Sequence, residues 1–190
     1  IGCTFQNNPG SGIAGSDVAK FPLTDCVFLN NGHYPVRTSA RSVASVSGTG
    51  NQFSGNTPNR IQITGGNLDQ NYVWDNPSVP VEVTSNINIC SGSGIMLKIN
   101  SGLTLLFVEG TGLNVGYISN SLLGNLQADG ATFSALNGTA GGWSGITINP
   151  YLHNASSGYI RNCVVEYAGG NGNIYFANSA FPLVEGCVIR

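Results

Sequence analysis

The sequence predicts an all-β solenoid of about eight stacked coils, and three observations carry that prediction. First, a short phrase recurs: a cysteine, one spacer and an apolar residue, at Cys3-Thr4-Phe5, Cys26-Val27-Phe28, Cys163-Val164-Val165 and Cys187-Val188-Ile189. Cys3 and Cys26 lie 23 residues apart and Cys163 and Cys187 lie 24 apart, a separation that suits one turn of a stacked repeat. Second, apolar residues alternate with polar ones in runs of three to five, each closed by Gly, Asn or Ser, which is the pattern of short strands meeting at corners. Third, the chain is 41% hydrophobic and only 8% charged, with 27 glycines. That apolar content is too high for a chain that buries nothing.

Taken in order, residues 1–36 read as two short coils, Gly2 to Ile13 and Phe21 to Val36. Asn8 and Asn31 follow their strands at equivalent turns, where amides stack on amides. Residues 37–59 are rich in Ser, Gly and Asn and read as a looser coil or a surface loop. Strands resume at Ile61-Gln62-Ile63, and Val79, Val81 and Val83 alternate before Ile87 and Ile89. The clearest stretch follows: Ile95, Leu97 and Ile99, then Leu103, Leu105 and Phe107, then Leu113 and Val115, with a glycine-bearing corner between each group. Trp143-Ser144-Gly145-Ile146 opens another face, and the Cys163 and Cys187 coils end the chain. No segment shows a convincing helical period, so helix is expected to be minor. Coils of 22 to 24 residues, spaced about 4.8 Å apart, give one domain over 1–190 on the order of 40 Å long.

Charge and composition exclude several classes. The seven basic residues are scattered and the formal net charge is −2, whereas phosphate neutralisation needs clustered Lys and Arg, so no nucleic-acid partner is expected. No apolar run reaches the roughly 18–20 residues of a membrane span. Starting at Ile1 without Met or signal peptide, the chain reads as a processed product or a segment. Five cysteines without C-x2-C pairs or neighbouring His do not form a zinc set. One shared place in the repeat argues for a core stack of Cys3, Cys26, Cys163 and Cys187 with Phe5, Phe28, Val165 and Ile189. Stacked thiols and Cys3–Cys26 and Cys163–Cys187 bridges both fit the coil spacing, and side chains pointing the same way favour the thiols.

Phe21-Pro22-Leu23-Thr24-Asp25-Cys26-Val27-Phe28-Leu29-Asn30-Asn31 and Tyr159-Ile160-Arg161-Asn162-Cys163-Val164-Val165-Glu166-Tyr167-Ala168-Gly169 resemble coils of right-handed parallel β-helix proteins. More narrowly, the feature order is similar to modules of large bacterial surface proteins exported by the type IX route. Those features are Ile63-Thr64-Gly65-Gly66, Tyr72-Val73-Trp74, the run from Leu103 to Gly116, Trp143-Ser144-Gly145-Ile146 and the Cys163 coil. The resemblance implies a right-handed helix and an extracellular or cell-surface location, and says little about activity. Glu185-Gly186-Cys187-Val188-Ile189 also matches Ile1-Gly2-Cys3-Thr4-Phe5, placing Cys187 where Cys3 of a next module would stand. With no polar cap at either end, stacking on itself or in tandem is the expected partnership.

Enzymatic chemistry finds little support. Glycoside hydrolysis needs two carboxylates across a groove, and the nine acids here form no Asp-Asp pair or Gly-His-Gly or Arg-x-Lys motif. Glu166 and Glu185 sit at different offsets from their cysteines. His33 and His153, the only histidines, have no nucleophile elbow nearby and read as loop residues. No cofactor is expected; Asp69 and Asp75 are the candidate calcium ligands, a plain polar turn being the commoner meaning. Trp74, Trp143 and Tyr151 are candidate sugar-stacking rings, against the alternative that such rings close the core. The sequence therefore predicts a non-catalytic extracellular structural module, such as a filament, adhesin or surface-layer component. The alternatives are a polysaccharide lyase or hydrolase and a carbohydrate-binding module.

Overall fold

A computed structural model describes residues 2–16, 21–117, 122–149, 158–177 and 182–190. The chain is a right-handed parallel β-helix of about seven turns, with 4% helix. Its longest sheet holds eight strands: β2 (Ile13–Ala14), β4 (Val36–Ser39), β6 (Ile61–Thr64), β9 (Val81–Val83), β12 (Thr104–Phe107), β15 (Thr132–Ala135), β18 (Val164–Val165) and β21 (Val188–Ile189). The sequence estimate of eight coils counts these rungs; the turns are the intervals between them.

Two further sheets complete a three-faced tube. A second face stacks β7 (Gly66–Leu68), β10 (Ile87–Ile89), β13 (Gly112–Val115), β16 (Gly145–Ile148) and β19 (Ile174–Phe176). A third stacks β8 (Tyr72–Trp74), β11 (Ile95–Ile99), β14 (Gly124–Asp129), β17 (Tyr159–Arg161) and β20 (Leu183–Glu185). Near the N-terminus, β1 (Thr4–Gln6), β3 (Val27–Leu29) and β5 (Gln52–Ser54) form a short sheet that, like the third, leads into the long one. All paired strands are parallel and in register.

Register turns the period-two pattern into continuous columns of buried side chains. On the long sheet the inward column runs Ile13, Val36, Ile61, Val81, Leu105, Phe133, Val165, Ile189. From Val36 to Val165 every member is fully buried. In the short sheet Phe5, Phe28 and Phe53 stack ring on ring, with centroids 4.9 and 5.2 Å apart. Each buried side chain contributes on the order of 2 kcal/mol of burial energy, and each rung also hydrogen-bonds its neighbours, so stability is additive along the axis.

The repeat is less regular than its cysteines imply. Phe5 pairs with Phe28, 23 residues on, but Ile61 pairs with Val81, 20 on, and Phe133 with Val165, 32 on. Rungs are fixed by hydrogen bonding, so insertions are confined to corners. Residues 37–59 also differ from the expected loop. After β4 they form a short 3-10 turn (Ala40–Ser42) and one helical turn, α1 (Val43–Val46), then β5. Ala40, Val43 and Val46 are buried and fill the place a strand of the second sheet takes in later turns.

The four cysteine phrases do not share one column. Cys3 and Cys26 precede β1 and β3 in the short sheet, whereas Cys163 and Cys187 precede β18 and β21 in the long sheet. What they share is a corner. Each cysteine follows a residue with positive φ: Gly2 (65°), Asp25 (55°), Asn162 (51°) and Gly186 (64°). The left-handed residue turns the chain, and a small residue behind it fits the inside of the bend. Gly102-Leu103 and Gly130-Ala131 do the same below Cys163, with Val164 N–H bonded to Ala131 O at 2.9 Å. Cys187 therefore stands at a different corner from Cys3, and the end phrases do not mark one continuing module register.

Candidate functional site

Three regions were examined for chemistry: the charged outer face of the long sheet, the predicted aromatic and cysteine sites, and the ends of the tube. On the long sheet one outward column reads Arg37, Gln62, Glu82, Leu106, Ser134, and Glu166 and Arg190 extend it one residue past their strands. Glu82 is buried. It accepts from Tyr34 Oη at 2.8 Å and Gln62 Nε2 at 3.2 Å, and pairs with Arg60 Nε at 2.6 Å. Arg37 Nε continues the chain to Gln62 Oε1 at 2.8 Å. Burial, and then the bond to Glu82, pushes the Tyr34 phenol above its ordinary value of 10.0. Glu166 accepts from Ser134 Oγ at 3.1 Å and from Arg190 Nε at 2.8 Å.

These carboxylates do not form a hydrolytic pair. Glu82 and Glu166 stand three rungs apart, about 14 Å at the strand spacing, beyond the roughly 5–9.5 Å that retaining and inverting mechanisms use. Each is already held by an arginine. Glu185 lies on the third sheet and faces Arg161 at 3.5 Å, so it does not join Glu166. Asp69 accepts from Tyr72 Oη at 2.7 Å before β8, and Asp75 from Asn100 Nδ2 at 2.6 Å after it; the strand separates them, so they do not converge on one cation. Among the described residues no three His, Cys, Asp or Glu side chains gather as metal ligands do. His33 is exposed in its turn, and His153 lies outside the described residues.

The predicted sugar-stacking rings are placed otherwise. Trp74 is 0% and Trp143 1% exposed, so neither offers a face to a ligand. In β8 the alternation turns Tyr72 and Trp74 inward and Val73 outward. Trp143 stacks on Phe107 at 4.5 Å and donates to Glu166 O at 2.8 Å. Tyr151 lies outside the described residues. None of the five cysteines is in a disulfide. Cys26 and Cys163 are buried, and Phe28 and Val165 beside them are fully buried. Cys163 Sγ donates to Arg161 O at 3.0 Å, and burial pushes its thiol up to about 11. That removes it as a nucleophile at neutral pH. Cys3 is exposed, Phe5 and Cys187 are partly buried and Ile189 is 50% exposed, because each stands in a terminal rung with a neighbour on one side only.

The end rung is the surface the sequence pointed to least by residue and most by pattern. Exposure along the long inward column jumps from 0% at Val165 to 50% at Ile189. Phe176, inward on the second sheet, is 40% exposed, and Val184, inward on the third, is partly buried. Val188 and Arg190 donate to Cys163 O and Val165 O at 2.9 and 3.1 Å, so the alternate residue, Ile189, turns its N–H and C=O away along the axis. Leu183 N–H and Glu185 C=O face β17 in the same way, which turns Val184 outward. At the opposite end, Phe5 stacks on Phe28 with one ring face only. No helix among the described residues is long and apolar enough to cross a membrane. Compared with protein-family models, curated proteins and solved structures, the chain matches none.

Proposed function

We propose that this β-helix is a non-catalytic structural module that assembles by stacking its end rungs on a second copy of itself, head to tail. The observation that carries it is the terminal rung, where Phe176, Val184 and Ile189 leave three inward columns open beside outward-turned N–H and C=O groups. A long, apolar strand edge is a template for pairing. The two ends also match. β20 carries its inward residue, Val184, between two outward ones, and β1 carries Phe5 between Thr4 and Gln6. Ile189 belongs to the same column as Ile13. Stacking β20 on β1 and β21 on β2 therefore places Val184 over Phe5 and Ile189 over Ile13, and carries both inward columns across the junction. The wide separation of Glu82 and Glu166 supports the absence of hydrolysis.

An extracellular or cell-surface setting, of the type IX-exported kind, rests on the resemblance of the coils and is part of the proposal. Electron microscopy of the native material tests the assembly. Rods with an axial repeat near 38 Å, eight rungs at the strand spacing, are expected. Short isolated particles at high protein concentration would end this reading. Fractionation of the source cells tests the location.

A further inference from the structure

The corner between β13 and β14 is longer than the same corner one rung below. From β10 to β11 the chain turns through residues 90–94, but from β13 to β14 it takes residues 116–123. The extra length is clasped against the tube. Tyr117 N–H donates to Leu122 O at 2.9 Å and Leu122 N–H to Tyr117 O at 3.2 Å. Ser91 and Leu123 exchange a second pair at 2.9 and 2.8 Å. Four backbone bonds thus fix Tyr117 and Leu122 in place, yet the tyrosine is 45% exposed. It is held rigidly at the surface and is not used up as core.

Tyr117, Leu122, Cys90, Asn67 and Asn88 enclose a recess of about 210 Å³ on the second face. Its floor is an amide ladder: Asn88 Nδ2 donates to Asn67 Oδ1 at 2.8 Å, and Asn114 Nδ2 to Asn88 Oδ1 at 2.9 Å. A side-chain amide has two N–H donors and two acceptor lone pairs. The ladder uses one of each per step, which leaves outward donors and acceptors side by side at each rung. The column then continues through Thr147 to Tyr175, 39% exposed.

We propose that this recess binds one ring of a neutral polysaccharide lying along the second face. Three features select that chemistry. The aromatic face of Tyr117 is electron-rich and suits the electropositive C–H face of a pyranose. Amides that donate and accept match hydroxyls, which do both. No Asp, Glu, Lys or Arg lines the recess, so a charged ligand would lose its hydration without gaining a counter-ion. The volume is below the roughly 300–1,000 Å³ of pockets that enclose a drug-sized ligand, so one sugar unit enters and the rest of the chain crosses the open sheet. This binding is independent of end-rung stacking, since the recess is on the flank.

Calorimetric titration of the full chain with cellohexaose, chitohexaose, mannohexaose and, as the acidic comparison, polygalacturonate tests it. At least one neutral oligomer is expected to bind in preference to polygalacturonate. Tyr117→Ala is expected to weaken that binding about tenfold or more, while Val73→Ala, an exposed change on the third sheet, leaves it unaltered. Asn67→Asp, which keeps the side chain's shape and brings charge to the ladder, is expected to weaken it as well and covers the case of a misfolded Tyr117→Ala. Binding that persists in an Ile189→Lys chain separates this site from the stacking surface. No binding of any neutral oligomer at millimolar concentration would overturn the proposal. So would unchanged binding by a folded Tyr117→Ala protein, or a preference for polygalacturonate.

Discussion

At the scale of residues, two side-chain types hold the corners, and both can be tested one atom at a time. Asn31 is buried. Its Nδ2 donates to Phe5 O at 3.0 Å and Asn56 Oδ1 at 2.7 Å, and its Oδ1 accepts from Asn8 N at 3.2 Å and Asn8 Nδ2 at 2.7 Å. Removing it strands several buried polar groups, so Asn31→Ala is expected to cost about 2–4 kcal/mol. Asn88 makes the same ladder contacts at the surface, where water replaces them, so Asn88→Ala is expected to cost under about 1 kcal/mol. Urea unfolding of the two variants measures the difference, and equal losses would show that burial does not decide the value of an amide ladder here. Cys163 makes a pH argument. Its folded value of about 11 lies above the ordinary 9.0, so the unfolded chain loses the proton first as pH rises. The thiol's contribution is intact below about pH 9 and is lost between there and about pH 11. Cys163→Ala, which copies Ala131 one rung below, is expected to flatten that alkaline loss. Unfolding midpoints of both proteins from pH 7 to 11 measure it, and identical alkaline slopes would remove Cys163 from the account.

At the scale of elements, the unit is a corner: a left-handed residue, a small inward residue, then a strand. The cysteine made two of these corners conspicuous in the sequence, and the strands after them follow from alternation alone. Gly102-Leu103 and Gly130-Ala131 are physically the same corner, but glycine is everywhere in this chain and hides it. For the same reason four equal phrases looked like one column: two different bends set one steric problem and select one solution. The helical turn was also partly legible, since Ala40, Val43 and Val46 recur every third residue, but Ser and Gly around them masked the period. Trp74 was misplaced because its polar neighbours suggested a turn, although Tyr72-Val73-Trp74 already alternates. The corner account predicts an asymmetry. Gly130 has φ +66°, and a side chain there would meet Ser101 Oγ at 2.6 Å. Gly130→Val is expected to lose about 2–3 kcal/mol. Asn162→Gly, at the same corner one rung on, is expected to change stability by less than about 0.5 kcal/mol, because the bend already has positive φ. Thermal melts of the two variants decide it, and similar losses would mean that the backbone conformation is not what the corner selects.

At the scale of the whole molecule, a stack of rungs that touch only their neighbours has a stability profile along its axis. Central strands such as β12 have a rung on both sides, while β21 has one, and its inward Ile189 is half exposed. Length, composition and alternation made the stacked fold legible in the sequence. The open rung was legible only as a missing cap, because which side chains it exposes depends on register, and register is set by corners of unequal length. The flank recess was not legible at all, since Asn67, Asn88 and Tyr117 lie on three different turns and meet only through that register. A polymer of such stacks behaves differently from a single copy. In dispersed protein the amides of Ile189 and Val184 are expected to exchange with solvent fastest among the strands, since their N–H groups point off the end. In concentrated protein a second copy supplies their acceptors, and exchange there is expected to slow, while β12 amides stay unchanged. Ile189→Lys puts a charge over the neighbour's Ile13, so it is expected to abolish the slowing. It should leave the melting temperature of the dispersed chain within about 2 °C, because the replaced side chain is half exposed already. Hydrogen exchange across a concentration series reads both effects. Slowing that is absent, or that survives Ile189→Lys, would place the contact between copies elsewhere on the tube and leave the end rung without a role in assembly.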